Sequence, residues 1–311
     1  RMEREILILK KEEEKEEVKI KEYLSQEIGK SSKLLFKNIA SIGKIDFILA
    51  KVVFGIKIGG IIPKISEEFS ITIIEGRHPQ IEELLKDKGL EYTPISINLK
   101  RGVACITGAN MGGKTLSLKL VGLLTAMAQY GLMIPAKEMK LGLNNFIKTS
   151  IGDPQSIDRG LSTFGGEIRL IREAIDMADE KGLILIDELA SGTNPREGYA
   201  ISKAIVEYLL DKDSITLFTT HYDNMANNED IVHLQVIGLS NANFKQLKSQ
   251  LKECNNSLDI INKHMDYRLR IADKSKEVPK DAINIGRMMG LNEEIVKKAS
   301  AFLNCELNRK G

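Results

Sequence analysis

The stretch GVACITGANMGGKTLSLKLVGLLTAMAQ, residues 102–129, decides the fold. Residues 103–107 are a short apolar run, residues 108–115 match G-x-x-x-x-G-K-[ST], and apolar positions then recur at helical spacing. The expected order is strand, phosphate loop, helix. Gly108, Gly112 and Gly113 let backbone N–H groups turn inward around phosphate oxygens without a Cβ in the way, and Ala109, Asn110 and Met111 fill the loop between them. Lys114 reaches toward the outer phosphates, the Thr115 hydroxyl can ligate Mg²⁺, and the helix N-terminus adds its partial positive charge.

Downstream, LILIDE at residues 183–188 is an apolar run that ends in two acids. A buried strand of this kind delivers Asp187 and Glu188 at its carboxyl end, beside the phosphate loop. There Asp187 is placed to hold Mg²⁺ through water, and Glu188 to orient or deprotonate an attacking water. Thr219, Thr220 and His221 close the next strand, which brings His221 to the same edge of the sheet; a histidine there can sense a γ-phosphate or serve a structural hydrogen bond. In GLSTFGGEIRLI, residues 160–171, Ser162 and Thr163 precede a helical run, with Glu167 further in. Ser162 reads as an N-cap, which the pattern alone favours, or more sharply as a phosphate ligand at a helix N-terminus.

Strands are predicted at 70–74, 95–99, 146–151, 182–187 and 214–220, helices at 163–180 and 196–210, and a further strand at 231–237. This alternation predicts an α/β fold with a mainly parallel sheet and ligands at the carboxyl ends of its strands. Residues 1–60 read as a charged helical arm, residues 61–240 as the P-loop domain, and residues 241–311 as a C-terminal segment with a small helical element over 288–303. Along the arm Ile20, Leu24, Ile28, Leu35, Ile39 and Ile42 form a narrow apolar stripe, which calls for a partner helix. The opening RMEREILILKKEEEKEE has the character of a helix interior, as expected of a piece of a longer protein.

The 311 residues carry 45 Lys and Arg against 43 Asp and Glu, a balance that argues against a dedicated polyanion binder. Residues 245–311 are locally basic, with fourteen Lys and Arg against nine Asp and Glu, a pattern a solvated helical surface explains. Cys105, Cys254 and Cys305 form no C-x-x-C pair and read as reduced thiols of a cytoplasmic protein. No apolar run approaches the ~18 residues of a membrane span.

ITGANMGGKT, LSTFGGE, LILIDELASGTNPREG and TTHYD, in this order, resemble the ATPase domain of the MutS family of DNA mismatch-repair proteins. KLVGLLTAMAQYGLMIPA (119–136) and IGDPQSIDRGLSTF (151–164) are most similar to the branch whose full-length members often end in a small nuclease domain. RHPQIE (77–82) and NIGRMMGLNEEIVKKA (284–299) resemble segments found across the family. The resemblance implies an ABC-type P-loop NTPase, active as a homodimer with composite sites, cytoplasmic, and engaging DNA without a membrane role. It implies that residues 108–115 bind ATP phosphates, that Thr115 and Asp187 serve Mg²⁺, that Lys114 and Glu188 serve hydrolysis, and that His221 senses the γ-phosphate. It further places Ser162 against the nucleotide of the opposite subunit and Tyr92 near adenine. By the same likeness the arm is the stub of long lever helices, and the C-terminal segment supplies dimerisation helices.

The sequence departs from the family pattern at Ala109, where proline is usual, at GGEI after LSTF, and in lacking the usual glycines after Tyr267, Arg268 and Leu269. No mismatch-reading module or small nuclease domain is recognisable in these residues. The function implied is an ATP-driven switch of a DNA-binding clamp, in mismatch repair or recombination; the alternative is a nucleotide switch derived from the same family that remodels a protein partner without DNA. A transporter subunit fits the long arm poorly.

Overall fold

A computed structural model describes residues 2–108, 113–152, 163–190, 192–222, 225, 228–238, 266–272, 283, 286–287 and 290–307. The chain forms two compact units, Arg1–Phe54 and Gly55–Gly311. The first is a single helical rod. Helix α1 runs over Met2–Lys57, 56 residues or about 84 Å at 1.5 Å per residue. Charged pairs on its surface, Lys19–Glu16 at 2.6 Å, Lys21–Glu17 at 3.0 Å and Lys30–Glu27, have the three- and four-residue spacing that supports isolated helices. The predicted apolar stripe is exposed in this unit: Ile20, Leu24, Ile28, Leu35, Ile39 and Ile42 all face solvent.

The second unit follows in the order β1 (Lys64–Ile65), β2 (Ser70–Gly76), α2 (Pro79–Asp87), β3 (Ile95–Lys100), β4 (Gly102–Thr107), α3 (Lys114–Gln129), β5 (Glu138–Leu141), β6 (Phe146–Ser150) and α4 (Thr163–Ile175). Then come β7 (Gly182–Ile186), α5 (Pro195–Leu210), β8 (Ile215–Thr219), β9 (Val232–Gly238), β10 (Asp266–Ile271) and α6 (Glu293–Leu307). The main sheet has six strands in the order β10-β9-β4-β8-β7-β6. All its pairings are parallel except that of β10 on β9. A second sheet, β1-β5-β2-β3, is antiparallel apart from the short β1–β5 pair.

The apolar strand runs acquire their meaning from the two faces of the main sheet. Successive side chains of β4 point to opposite sides: Ala104 and Ile106 join Leu118, Val121 and Leu124 of α3 and the inner face of the second sheet, whereas Val103 and Cys105 join Ile171 of α4 and Val206 and Leu209 of α5. A strand covered on both faces needs apolar side chains on both, so its sequence reads as a continuous hydrophobic run with no alternation. β7 and β8 are buried in the same way along their whole length.

Four features differ from the sequence expectations. Helix α4 ends at Ile175 and not at residue 180: Met177 and Ala178 donate to carbonyls three residues back, tightening the final turn, and the Ala178 carbonyl is taken by the Ser214 amide. The second sheet, with β5 at its interior, was not anticipated. Strand β10, beyond the boundary at residue 240 expected from the sequence, is hydrogen-bonded into the main sheet through Leu269, Arg270 and Ile271. The terminal element begins at Glu293, where the Asn292 side chain accepts from the Glu294 amide at 2.8 Å.

Candidate active site

Strand β4 and helix α3 meet at the phosphate loop. Its ends are described, at Gly108 with φ 131° and Gly113 with φ 86°; Ala109, Asn110, Met111 and Gly112 lie outside the described residues, as does Ser162. Gly113 is the N-cap of α3, and its carbonyl accepts from the Ser117 amide at 2.8 Å and the Ser117 hydroxyl at 3.0 Å. Its left-handed backbone favours glycine, and a Cβ there would stand 2.8 Å from Cδ1 of Tyr267, whose ring β10 lays against it.

Lys114 is buried, with Nζ donating to the Gly108 carbonyl at 2.8 Å. Burial lowers the pKa of its amine, while the nearby carboxylates of Glu188 and Asp187 oppose the shift. A cation held in low dielectric is a stronger partner for phosphate than one in water, and the two acids help to keep it charged.

Asp187 and Glu188 follow β7. One Asp187 oxygen accepts from the Thr115 hydroxyl at 2.8 Å, the other from the Thr219 hydroxyl at 2.7 Å. Thr219 in turn accepts from the Glu188 amide at 2.8 Å. His221, just beyond β8, lies with Nε2 2.7 Å from Oε1 of Glu188. The sheet thus gathers Lys114, Thr115, Asp187, Glu188 and His221 at the carboxyl ends of β4, β7 and β8, as the sequence order of strands and loops leads one to expect.

The backbone beyond Asp187 is strained. Glu188 has φ 52° and Ala190 φ 56°, left-handed conformations that cost about 1–3 kcal/mol each in residues other than glycine and persist only where surrounding contacts fix them. One such contact comes from Glu167 of α4, whose Oε1 accepts from the Ala190 amide at 2.6 Å in a buried setting. The carboxylate is therefore engaged across the fold. Burial raises the Glu167 pKa, and the charge of Glu188 adds to the rise against the pull of the Ala190 amide. A carboxyl raised in the folded state loses stability as pH climbs from its ordinary value through the raised one. Glu167→Gln keeps an acceptor and removes the charge, so at neutral pH it is expected to melt at or above the native temperature. The difference should vanish below the ordinary carboxyl range, and thermal melts at the two pH values check it. A variant equally destabilised at both would contradict the assignment.

The family model for MutS domain V matches residues 104–306, from within β4 through the phosphate loop and the ends of β7 and β8. The chain belongs to the MutS family. It is 37% identical over 298 residues to Endonuclease MutS2 of Clostridium kluyveri, covering 95% of this chain and 35% of that protein. It is 33% identical over 304 residues to Endonuclease MutS2 of Caldanaerobacter subterraneus subsp. tengcongensis (97% and 35%), and 40% identical over 222 residues to that of Halothermothrix orenii (70% and 27%). The chain spans about a third of the length of the curated relatives it matches. It carries a MutS-family ATPase domain.

Tyr92 precedes the residues that the MutS domain model matches and stands apart from the carboxylate cluster. It lies in the loop before β3, half-buried beside His78, Arg77 and Glu82, with its buried hydroxyl against the His78 backbone. The Nδ1 atom of His78 is likewise buried; burial first and then Lys119 of α3 disfavour the charge of its ring, against a hydrogen bond with the His78 backbone. Arg77 holds this corner: it makes two bonds to Glu82, at 2.7 and 2.8 Å, and donates to the Ile58 and Gly59 carbonyls at 3.1 Å. Sequence reasoning missed Thr219, Glu167 and Tyr267 as parts of the site. A hydroxyl at the end of the apolar run ITLFT was a usable signal for Thr219; nothing in the sequence pointed Tyr267 at Gly113.

Proposed function

We propose that this MutS-family domain binds ATP on residues 108–115 and hydrolyses it, in an ABC-type dimer whose nucleotide state switches a DNA-binding clamp. The observation that carries the reading is the hydrogen-bonded set Thr115, Asp187, Thr219, Glu188 and His221, with the buried Lys114 close to both acids. In this mechanism the loop amides and Lys114 hold the outer phosphates. Water attacks the γ-phosphorus in line, the bond to the β,γ-bridging oxygen breaks, ADP leaves, and the water proton passes to Glu188. His221 orients that carboxylate and senses the γ-phosphate.

The donor set fits Mg²⁺: the paired hydroxyl and carboxylate of Thr115 and Asp187 are hard oxygen ligands, and this ion commonly takes one or two carboxylates together with substrate phosphates. Once bound, Mg²⁺ neutralises charge on the β- and γ-phosphate oxygens. The Tyr92 corner is assigned to adenine, on the strength of its half-buried aromatic ring and the His78 imidazole beside α3. Ser162 is assigned to the nucleotide of the opposite subunit, residues 1–60 to the lever arm, 61–240 together with β10 to the ATPase domain and the remainder of 241–311 to dimerisation, in a cytoplasmic protein whose DNA contacts involve the arm and regions outside these 311 residues.

The test is Mg²⁺-dependent ATP turnover by this chain, with and without duplex or branched DNA. Turnover that rises with DNA is the expected result. Absence of ATP binding refutes the site; a rate indifferent to DNA but responsive to a protein partner replaces the clamp with a switch acting on protein.

A further inference from the structure

The segment that follows Asp187 is held by more contacts than its length requires. The Leu189 amide donates to the Thr219 carbonyl at 3.3 Å, and the Ser202 hydroxyl of α5 donates to the Leu189 carbonyl at 3.0 Å. With the Glu188 amide on Thr219, these bonds tie residues 188–189 to β8 and α5. The fourth bond is different in origin: Glu167 reaches from α4 to the amide of left-handed Ala190. Helix α4 meets the segment a second time at Phe164, whose N, Cα and Cβ atoms would each lie 3.4 Å from a Cβ at Gly192.

We infer that Glu167 is a positioning residue, which sets the place of the Glu188 carboxylate by fixing the backbone two residues beyond it and so links α4 to the hydrolytic acid. The assignment rests on the ATPase reading above and deepens it. Glu167 is only 8% exposed, and Ala190 is fully buried. Losing the acceptor therefore leaves a buried amide unpaired beside a strained turn. The turn relaxes toward an ordinary backbone conformation, and Glu188 turns with it, since its own φ of 52° is part of the same turn. Lys114 and Thr115 belong to a different helix, α3, so nucleotide binding is left in place. The link runs both ways: a shift of α4 moves Glu188 without any contact between α4 and the γ-phosphate.

The test compares ATP kinetics and thermal melts of Glu167→Ala, Glu167→Asp and Glu167→Gln with the native chain. Glutamine retains an oxygen at the same reach and is expected to keep kcat within about threefold. Aspartate keeps the charge but withdraws the acceptor by one methylene, and both it and alanine are expected to lower kcat by about 100-fold, the scale of a 1 Å misplacement at a reacting group, with KM for ATP nearly unchanged. If Glu167→Ala does not fold, Glu167→Asp carries the comparison. A merely structural glutamate would lower the melting temperature without this separation of kcat from KM. Native kcat in Glu167→Asp, or a loss in Glu167→Gln as large as in Glu167→Ala, overturns the inference alone. A native chain without Mg²⁺-dependent ATPase, or one whose ATPase survives Lys114→Ala, overturns the ATPase reading and the inference with it.

Discussion

Lys114→Ala is expected to lower ATP turnover by about 100- to 1000-fold, the range for loss of one preorganised donor at a developing charge, and to weaken ATP binding as well. Two structural facts make the loss large. The amine is buried and bonded to the Gly108 carbonyl, so it is held at the loop and need not be recruited from solvent. It also stands close to Glu188 and Asp187, whose charges favour its ionised form. Alanine removes the cation that balances those acids and leaves two carboxylates facing incoming phosphate charge. The fold should tolerate the change, because burial disfavours the charged amine in the native state. The checks are nucleotide binding by fluorescence titration, turnover by phosphate release, and a thermal melt to show that the chain remains folded. Turnover near the native rate would remove Lys114 from the site.

The second large effect is expected at Glu188. Glu188→Gln should keep ATP binding and reduce kcat by about 100- to 10,000-fold, the usual span for a general acid or base. The amide preserves shape and can still meet His221, whose Nε2 lies 2.7 Å from the native carboxylate, but it cannot take a proton from water. Asp187 keeps both its threonine partners, so the site for Mg²⁺ is left intact. Single-turnover hydrolysis measured with saturating ATP isolates the chemical step. A stable ATP-bound dimer on gel filtration is the expected companion result, and undiminished hydrolysis would refute the role. Together the two variants separate phosphate binding from chemistry.

The residues behind both predictions were legible because each motif is short in sequence and lies at a strand end, where topology alone brings the ends together. β4, β7 and β8 are buried on both faces and so announce themselves as apolar runs. The second sheet was harder to see. Strand β5 is only EMKL, with Met139 and Leu141 inward and charged residues between, too short for a period to register. Strand β10, DYRLRI, lies at an edge with no fully buried side chain, and its pairing with β9 spans a long gap in sequence. The contact of Glu167 with Ala190 was illegible for a different reason: a glutamate in an amphipathic helix looks like any solvated charge until the fold shows what it faces.

Strand β10 bears on where the polypeptide can be cut. A chain ended after Gly238 would retain every parallel strand and both helices that cover their outer face, and on sequence grounds would count as a whole domain. It would nonetheless strip the hydrogen-bonding partner from β9, leaving an open row of amides and carbonyls that invites another chain to add itself there. It would also take Tyr267 off Gly113 and uncover the start of the phosphate helix. The smallest self-contained ATPase unit therefore extends at least to Ile271, and a shorter recombinant product should be prone to self-association.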